Sequence, residues 1–320
     1  MRKIFLITLI LVLLLALGLP WVVQKIMEPR VQEEGTIVRL YRHDADTVEL
    51  MSLEDYVTGV VAAEMPALFP DEALKAQAVA ARTYIVKRMV AGGVMNNCHE
   101  GADTCDNPSH AQGCLTRAEM KERWGTLKYY QYYYKIRMAV DDTAGEIITY
   151  QGQPIDPVFH AACGGHTEDA EDVWMYSVPY LRGVACPYEN NPNSIQQVAI
   201  GQDQVAKALG VELQSVPVST KQDQPIKVVE STSTGRPKTL LINDRRLSAS
   251  EIRQKLGLRS TNFTWQFKND QIIFETVGYG HGVGMCQYGA SGLAEHGYDY
   301  KQIINHYYTG VQINNINDYR

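Results

Sequence analysis

One glutamate stands in an otherwise apolar stretch: Glu64, in VVAAEMP over residues 60–66. A carboxylate in such surroundings loses hydration, which raises its pKa. A general acid working at neutral pH needs that shift. The same residues also read as a solvated glutamate closing a helix. Lys75 and Arg82 follow, seven residues apart, in an alanine-rich segment. Seven residues is nearly two helical turns, so the two cations share one face. There they can orient a carboxylate or hold polar substituents of a ligand; they can equally snorkel to solvent.

Two glycine-bearing segments come later. FHAACGGHTE (159–168) places Gly164-Gly165 between His160 and His166-Thr167. A glycine pair there allows a tight turn and close backbone approach. GYGHGVGMCQYG (278–289) has five glycines in twelve residues, interleaved with Tyr279, His281, Gln287 and Tyr288. The spacing matches neither nucleotide-loop pattern, G-x-G-x-x-G or G-x-x-x-x-G-K-[ST]. Aromatic and amide side chains beside glycines suit a sugar better than a phosphate; a tight structural crossing is the other reading.

Cys98, His99, Cys105, His110 and Cys114 fall within seventeen residues. Tetrahedral zinc takes four Cys or His ligands, and this density points to metal rather than to a disulfide framework. Cys163, Cys186 and Cys286 are left over, as buried thiols or as one disulfide with a free thiol. No H-E-x-x-H is present, which argues against a zinc peptidase.

The elements that must carry these groups read as α+β, a mixture of helices and antiparallel strands. Segments 36–41 and 46–50 alternate like a hairpin. Ser52-Leu-Glu-Asp55 has capping-box spacing and opens a helix through about residue 61. A clear helix covers 71–91, stopped by Gly92-Gly93. Thr116-Arg-Ala-Glu119 is a second capping box, opening a short helix. Five tyrosines lie between Lys128 and Lys135; such a run supplies packing more often than sugar stacking. Residues 136–150 and 155–162 read as strands. The stretch 188–274 is more polar, with a helix at 248–256 and a hairpin at 263–274, and reads as an inserted subdomain. The main domain is then 36–187 with 275–320, closed by a helix over 301–308.

The chain begins Met1-Arg2-Lys3, followed by an apolar run from Ile4 to Val23. About 20 such residues span a bilayer. Residues 1–24 therefore read as an uncleaved anchor, 25–35 as a stalk, and the rest as lying outside the cytoplasm by the positive-inside rule. This describes a single-pass protein of the cell membrane. With a net charge of −6, the chain offers no basic surface for nucleic acid.

The blocks LEDYVTGVVAAEMP, ALKAQAVAARTY, FHAACGGHTEDAEDVW and GYGHGVGMCQYGASGLAEHGYDYKQIINHYYTG, in that order, resemble the stage II sporulation protein D family over most of residues 50–310. The resemblance implies a lytic transglycosylase of peptidoglycan. It would cut peptide-free glycan strands during engulfment and leave 1,6-anhydro muramic ends. Glu64 falls at the family's acid/base, Lys75 and Arg82 at its basic helix residues, and Tyr279, His281, Gln287 and Tyr288 in its glycine-rich motif. The partners implied are an amidase, stage II sporulation protein P, and a membrane scaffold, protein M. Some relatives bind zinc in a comparable insertion; by similarity the ligands here are His99, Cys105, His110 and Cys114, with Cys98 as substitute. That zinc is structural, and catalysis needs no cofactor. The rival implied by the same family is a non-catalytic glycan binder that enhances a partner amidase.

Overall fold

Ser52 starts the part of the chain that carries Glu64. Its Oγ accepts the amide of Asp55 at 3.1 Å, which satisfies one of the free N–H groups at the start of a helix. The helix, α1, runs Leu53–Glu64. Met65 follows in extended conformation, as a residue before proline prefers. In the computed structural model, residues 35–90, 99–174, 176–213 and 225–319 are described. The expected anchor (1–24) and nearly all of the stalk lie outside them. Among the described residues no helix is long and apolar enough to cross a membrane.

Helix α2, Asp71–Val90, is the centre of the first core. Ala73, Ala76, Ala78, Ala80 and Ala81 are all buried. A helix covered on every side is apolar all round rather than amphipathic, and alanine lets its neighbours come close. Around it pack α1, α3 (Arg117–Asp142), and two later helices, α7 (Gln287–Glu295) and α8 (Tyr300–Tyr307). Both arms of the Thr116/Glu119 capping box form. The helix they open is long, not short, with a non-helical break at Gly125. Residues 136–142, expected as strand, belong to it: Ile136, Ala139 and Val140 are buried at helical spacing, a face that simple alternation had imitated.

The first core takes its residues from Val38–Cys186 and Val283–Val311. Its strands are short. β1 (Ile37–Arg42) pairs antiparallel with β2 (Thr47–Ser52) and parallel with β3 (Thr104–Cys105). β4 (Glu146–Tyr150) lies between β5 (Gln153–Pro154) and β14 (Gln312–Asn315), both antiparallel to it. β6 (Phe159–His160) pairs in parallel with β13 (Met285–Cys286), so most of 155–162 is irregular rather than strand. A four-residue helix, α4, covers Ala170–Val173.

A second core draws only on Val205–Phe274. Helices α5 (Gln202–Leu209) and α6 (Ala249–Leu256) belong to it, with two antiparallel sheets. One orders β8 (Ile226–Ser231), β9 (Pro237–Ile242) and β10 (Arg245–Ser248) around central β9. The other orders β7 (Ile195–Gly201), β11 (Phe263–Lys268) and β12 (Gln271–Val277) around central β12. Buried Arg236 ties this part to the first: it pairs with Glu168 at 2.9 Å and donates to the Cys163 carbonyl at 2.6 Å.

Candidate active site

Glu64 is the last residue of α1 and half-buried. Its Oε1 accepts the Gly113 amide at 2.9 Å. Arg123 on α3 donates to the carbonyls of Ala62 and Ala63 at 3.1 and 3.4 Å, satisfying the open end of α1 beside the carboxyl. Burial raises the Glu64 pKa above the ordinary carboxylate value; the Gly113 amide and the Arg123 charge pull it back without cancelling the rise. The negative end of the helix dipole acts in the same direction as burial. The carboxyl thus holds its proton to a higher pH than a free glutamate and remains reachable. Gly113 and Arg123 carry no sequence signal for this role, since they lie 49 and 59 positions downstream of Glu64.

The basic pair on α2 is engaged elsewhere. Arg82 is wholly buried. It holds Glu54 bidentately, Nε to Oε1 at 3.0 Å and Nη2 to Oε2 at 2.5 Å, and donates to the carbonyls of Val140 and Glu146. Glu54 is ten residues before Glu64, about 15 Å along the helix. Arg82 is therefore a staple between α1, α2 and the end of α3 rather than a group open to ligand. Lys75 is bridged by Glu72 and Asp142, each at 3.0 Å.

The glycine-rich segment divides in two. Gln287 and Tyr288 are not loop residues but the first residues of α7. Tyr288 packs edge-to-face on Phe69, 5.0 Å between centroids, and so lies against the 66–70 loop that leaves Glu64. Gln287 is buried and donates to Gln77 of α2 at 3.2 Å. The other half folds onto 158–162. Gly280 has φ +122°, and a Cβ there would sit 2.6 Å from the His160 side chain; Gly284, at φ +70°, has no room against the Val158 carbonyl. Their freedom serves a close backbone crossing. His281 is locked within it: Nε2 bonds the Phe159 carbonyl at 3.0 Å, and Nδ1 accepts the Val283 amide at 3.1 Å. Burial, with Arg253 nearby, depresses it to about 4, so the ring is neutral and both nitrogens are used. Tyr279 is half exposed, with the Arg259 guanidinium over its ring.

The Cys/His group also changes membership. Ligand atoms of His43, His99, Cys105 and His110 lie within 4.8 Å of one another. Cys114 is not among them. Its thiol is buried against the Tyr56 carbonyl, and burial pushes it up to about 12. His43 takes the place expected for Cys114, because β1 pairs with β3 at Tyr41–Cys105 and so brings residue 43 beside the loop. Cys98 lies outside the described residues. The donor set fits zinc: the Nε2 of His99 is buried without a hydrogen-bond partner, and burial, with His43 and His110, holds that ring below its usual pKa, in the neutral form a metal needs.

Fold and site define a class: an α+β domain built on a buried alanine-rich helix, with one sheltered carboxylic acid at the end of the helix beside it. A family model described as stage II sporulation protein matches residues 41–150. A stage II sporulation protein D of Bacillus amyloliquefaciens is 39% identical over 287 residues, covering 89% of this chain and 81% of its own. That of Bacillus subtilis (strain 168) is 39% identical over 277 residues, covering 86% and 78%. An amidase enhancer of the same strain is 26% identical, covering 80% of this chain and 40% of its own. The chain belongs to the stage II sporulation protein D family, which ties it to sporulation.

Proposed function

We propose that this protein is a lytic transglycosylase that cuts peptide-free peptidoglycan strands, with Glu64 as its only acid/base. The observation that carries this reading is the state of Glu64: half-buried, proton-retaining and positioned by the Gly113 amide. The protonated carboxyl gives its proton to the glycosidic oxygen as that bond breaks. The carboxylate left behind takes the proton of the sugar's own 6-hydroxyl as O6 closes onto C1, giving the 1,6-anhydro end. No water is activated, so no second carboxylate is required, unlike in a hydrolase. Tyr279 and Tyr288 are the proposed sugar-facing aromatics; Arg82, enclosed by its partners, is not proposed as a sugar contact.

In this reading residues 1–24 anchor the protein in the cell membrane with the domain outside, where it works beside stage II sporulation proteins P and M. One zinc ion on His43, His99, Cys105 and His110 would tether the 99–113 loop, and hence the Gly113 amide, to β1. The similarity to an amidase enhancer favours a second reading, a glycan binder that positions wall for a partner amidase.

The test is to incubate the full-length chain, in detergent, with peptide-free glycan strands and read the products by mass spectrometry, with Glu64→Gln in parallel. Anhydro ends from the wild type and a loss of about 10²–10⁴-fold in the variant are expected. Ordinary reducing ends would mean a hydrolase. Strands bound but uncut by both proteins would establish the binder.

A further inference from the structure

We propose that Cys163, Cys186, Cys286 and Glu189 form a second, buried site that binds one zinc ion. Their ligand atoms all lie within 4.8 Å of one another. Tetrahedral zinc with sulfur at about 2.3 Å and oxygen at about 2.1 Å separates its ligands by roughly 3.5–3.8 Å, so the shell is completed by a small rearrangement that draws the more distant ligand atoms in and moves the Glu189 oxygen off the Cys163 sulfur. Three sulfurs and one oxygen favour zinc over magnesium or calcium.

The surroundings are built for ligation. All three cysteines are almost completely buried, at 1%, 4% and 0% exposure. Glu189 is turned in among them: its Oε2 lies 2.7 Å from the Cys163 sulfur and 3.4 Å from that of Cys286. The amides of Cys163, Gly164 and Gly165 donate to the same carboxylate. The Gly289 amide donates to the Cys286 sulfur at 3.3 Å, and the Tyr307 hydroxyl lies 3.3 Å from that of Cys186. Such outer partners orient metal ligands. Gly165 also has a left-handed φ of +102°, which turns the 163–165 amides onto one carboxylate. A disulfide between two of the cysteines would account for neither the third thiol nor the inward carboxylate.

On binding, each cysteine ligates as the thiolate, so any S–H proton it carries passes to solvent as its Zn–S bond forms, and the Glu189 carboxylate supplies the fourth ligand. The site would join the 163–165 turn, the 186–189 loop and the start of α7. Cys286 is the N-cap of α7, so the ion would pin the end of the helix that carries Gln287 and Tyr288.

The experiment measures zinc by elemental analysis in the full-length chain carrying His43→Ala and Cys105→Ser, which disable the imidazole cluster. About one zinc ion per chain is expected to remain, and to be lost when Cys186→Ser and Cys286→Ser are added. Because the last variant can fail to fold, Co²⁺ is also added to metal-free wild type. Near-ultraviolet thiolate-to-cobalt bands with the strength of three sulfurs beyond the single Cys105 contribution support the site. Zinc that survives loss of both cysteines overturns it. So does a parent without zinc whose unreduced peptides show a disulfide among Cys163, Cys186 and Cys286.

Discussion

The two ends of helix α1 carry two glutamates in opposite situations. Glu54, in the first turn, faces a buried guanidinium that meets it bidentately, and the Gly145 amide also donates to it at 3.3 Å. Its charge is answered, and Arg82 in turn is held at all three nitrogens: Nη1 and Nη2 also donate to the Glu146 and Val140 carbonyls. Glu64, in the last turn, has one amide and an indirect guanidinium, and burial wins. A carboxylate saturated by charge-assisted bonds holds a structure together. One left short of partners exchanges protons. The same residue type on one helix thus serves stability at one end and is free for chemistry at the other.

The largest test of this contrast is to break the saturated end. Arg82→Met leaves Glu54 and two carbonyls without their donor, and should cost about 3–5 kcal/mol in denaturant unfolding. Strand cleavage per folded molecule should change little, since Arg82 does not meet the site. A variant that is stable but inactive would instead give Arg82 a role toward substrate.

The open end should show in pH. In the proposed mechanism cleavage requires the protonated form of Glu64, so its rate should fall tenfold per pH unit, about 1.4 kcal/mol each, once pH exceeds the raised pKa. A rate flat through that limb would remove Glu64 from the acid's role. Linkage gives a smaller effect in stability. Because the folded pKa is raised above the usual 4.5, the unfolded chain ionises first. Wild type therefore loses stability as pH rises from 4.5 through the folded pKa, and Glu64→Gln does not. Thermal unfolding of the pair should diverge in the variant's favour above that window and run parallel below it, by far less than the Arg82 cost.

The smallest effect sharpens the geometry. A Cβ at Gly113 would stand 3.3 Å from Ala63 and 3.4 Å from the Glu64 carboxyl. Gly113→Ala should push the carboxyl by a few tenths of an ångström and slow cleavage by up to about tenfold. Stability should stay within about 1 kcal/mol.

Local signals named many of the elements. Ser52 and Thr116 cap their helices as their spacing requires, the 263–274 hairpin turns at Asn269 with φ +52°, and the alanine-rich segment is a helix. The desolvation of Glu64 was legible too, because a lone carboxylate in VVAAEMP advertises it. What stayed hidden was whatever depends on chain crossings. Alternation over 136–142 looked like strand until α2 packed beside it and kept it helical. That Lys75 pairs with Glu72 and Asp142, and Arg82 with Glu54, was not legible in the sequence. His43 could not be paired with His99 across 56 positions until β3 joined β1, and Cys114 could not be struck out until its thiol was seen against Tyr56. Helix caps, turns and an isolated buried charge are properties of a few adjacent residues, so sequence determines them. Which cation is spent on which carboxylate, and which sulfur reaches which imidazole, depends on chain crossings, and only tertiary packing decides those.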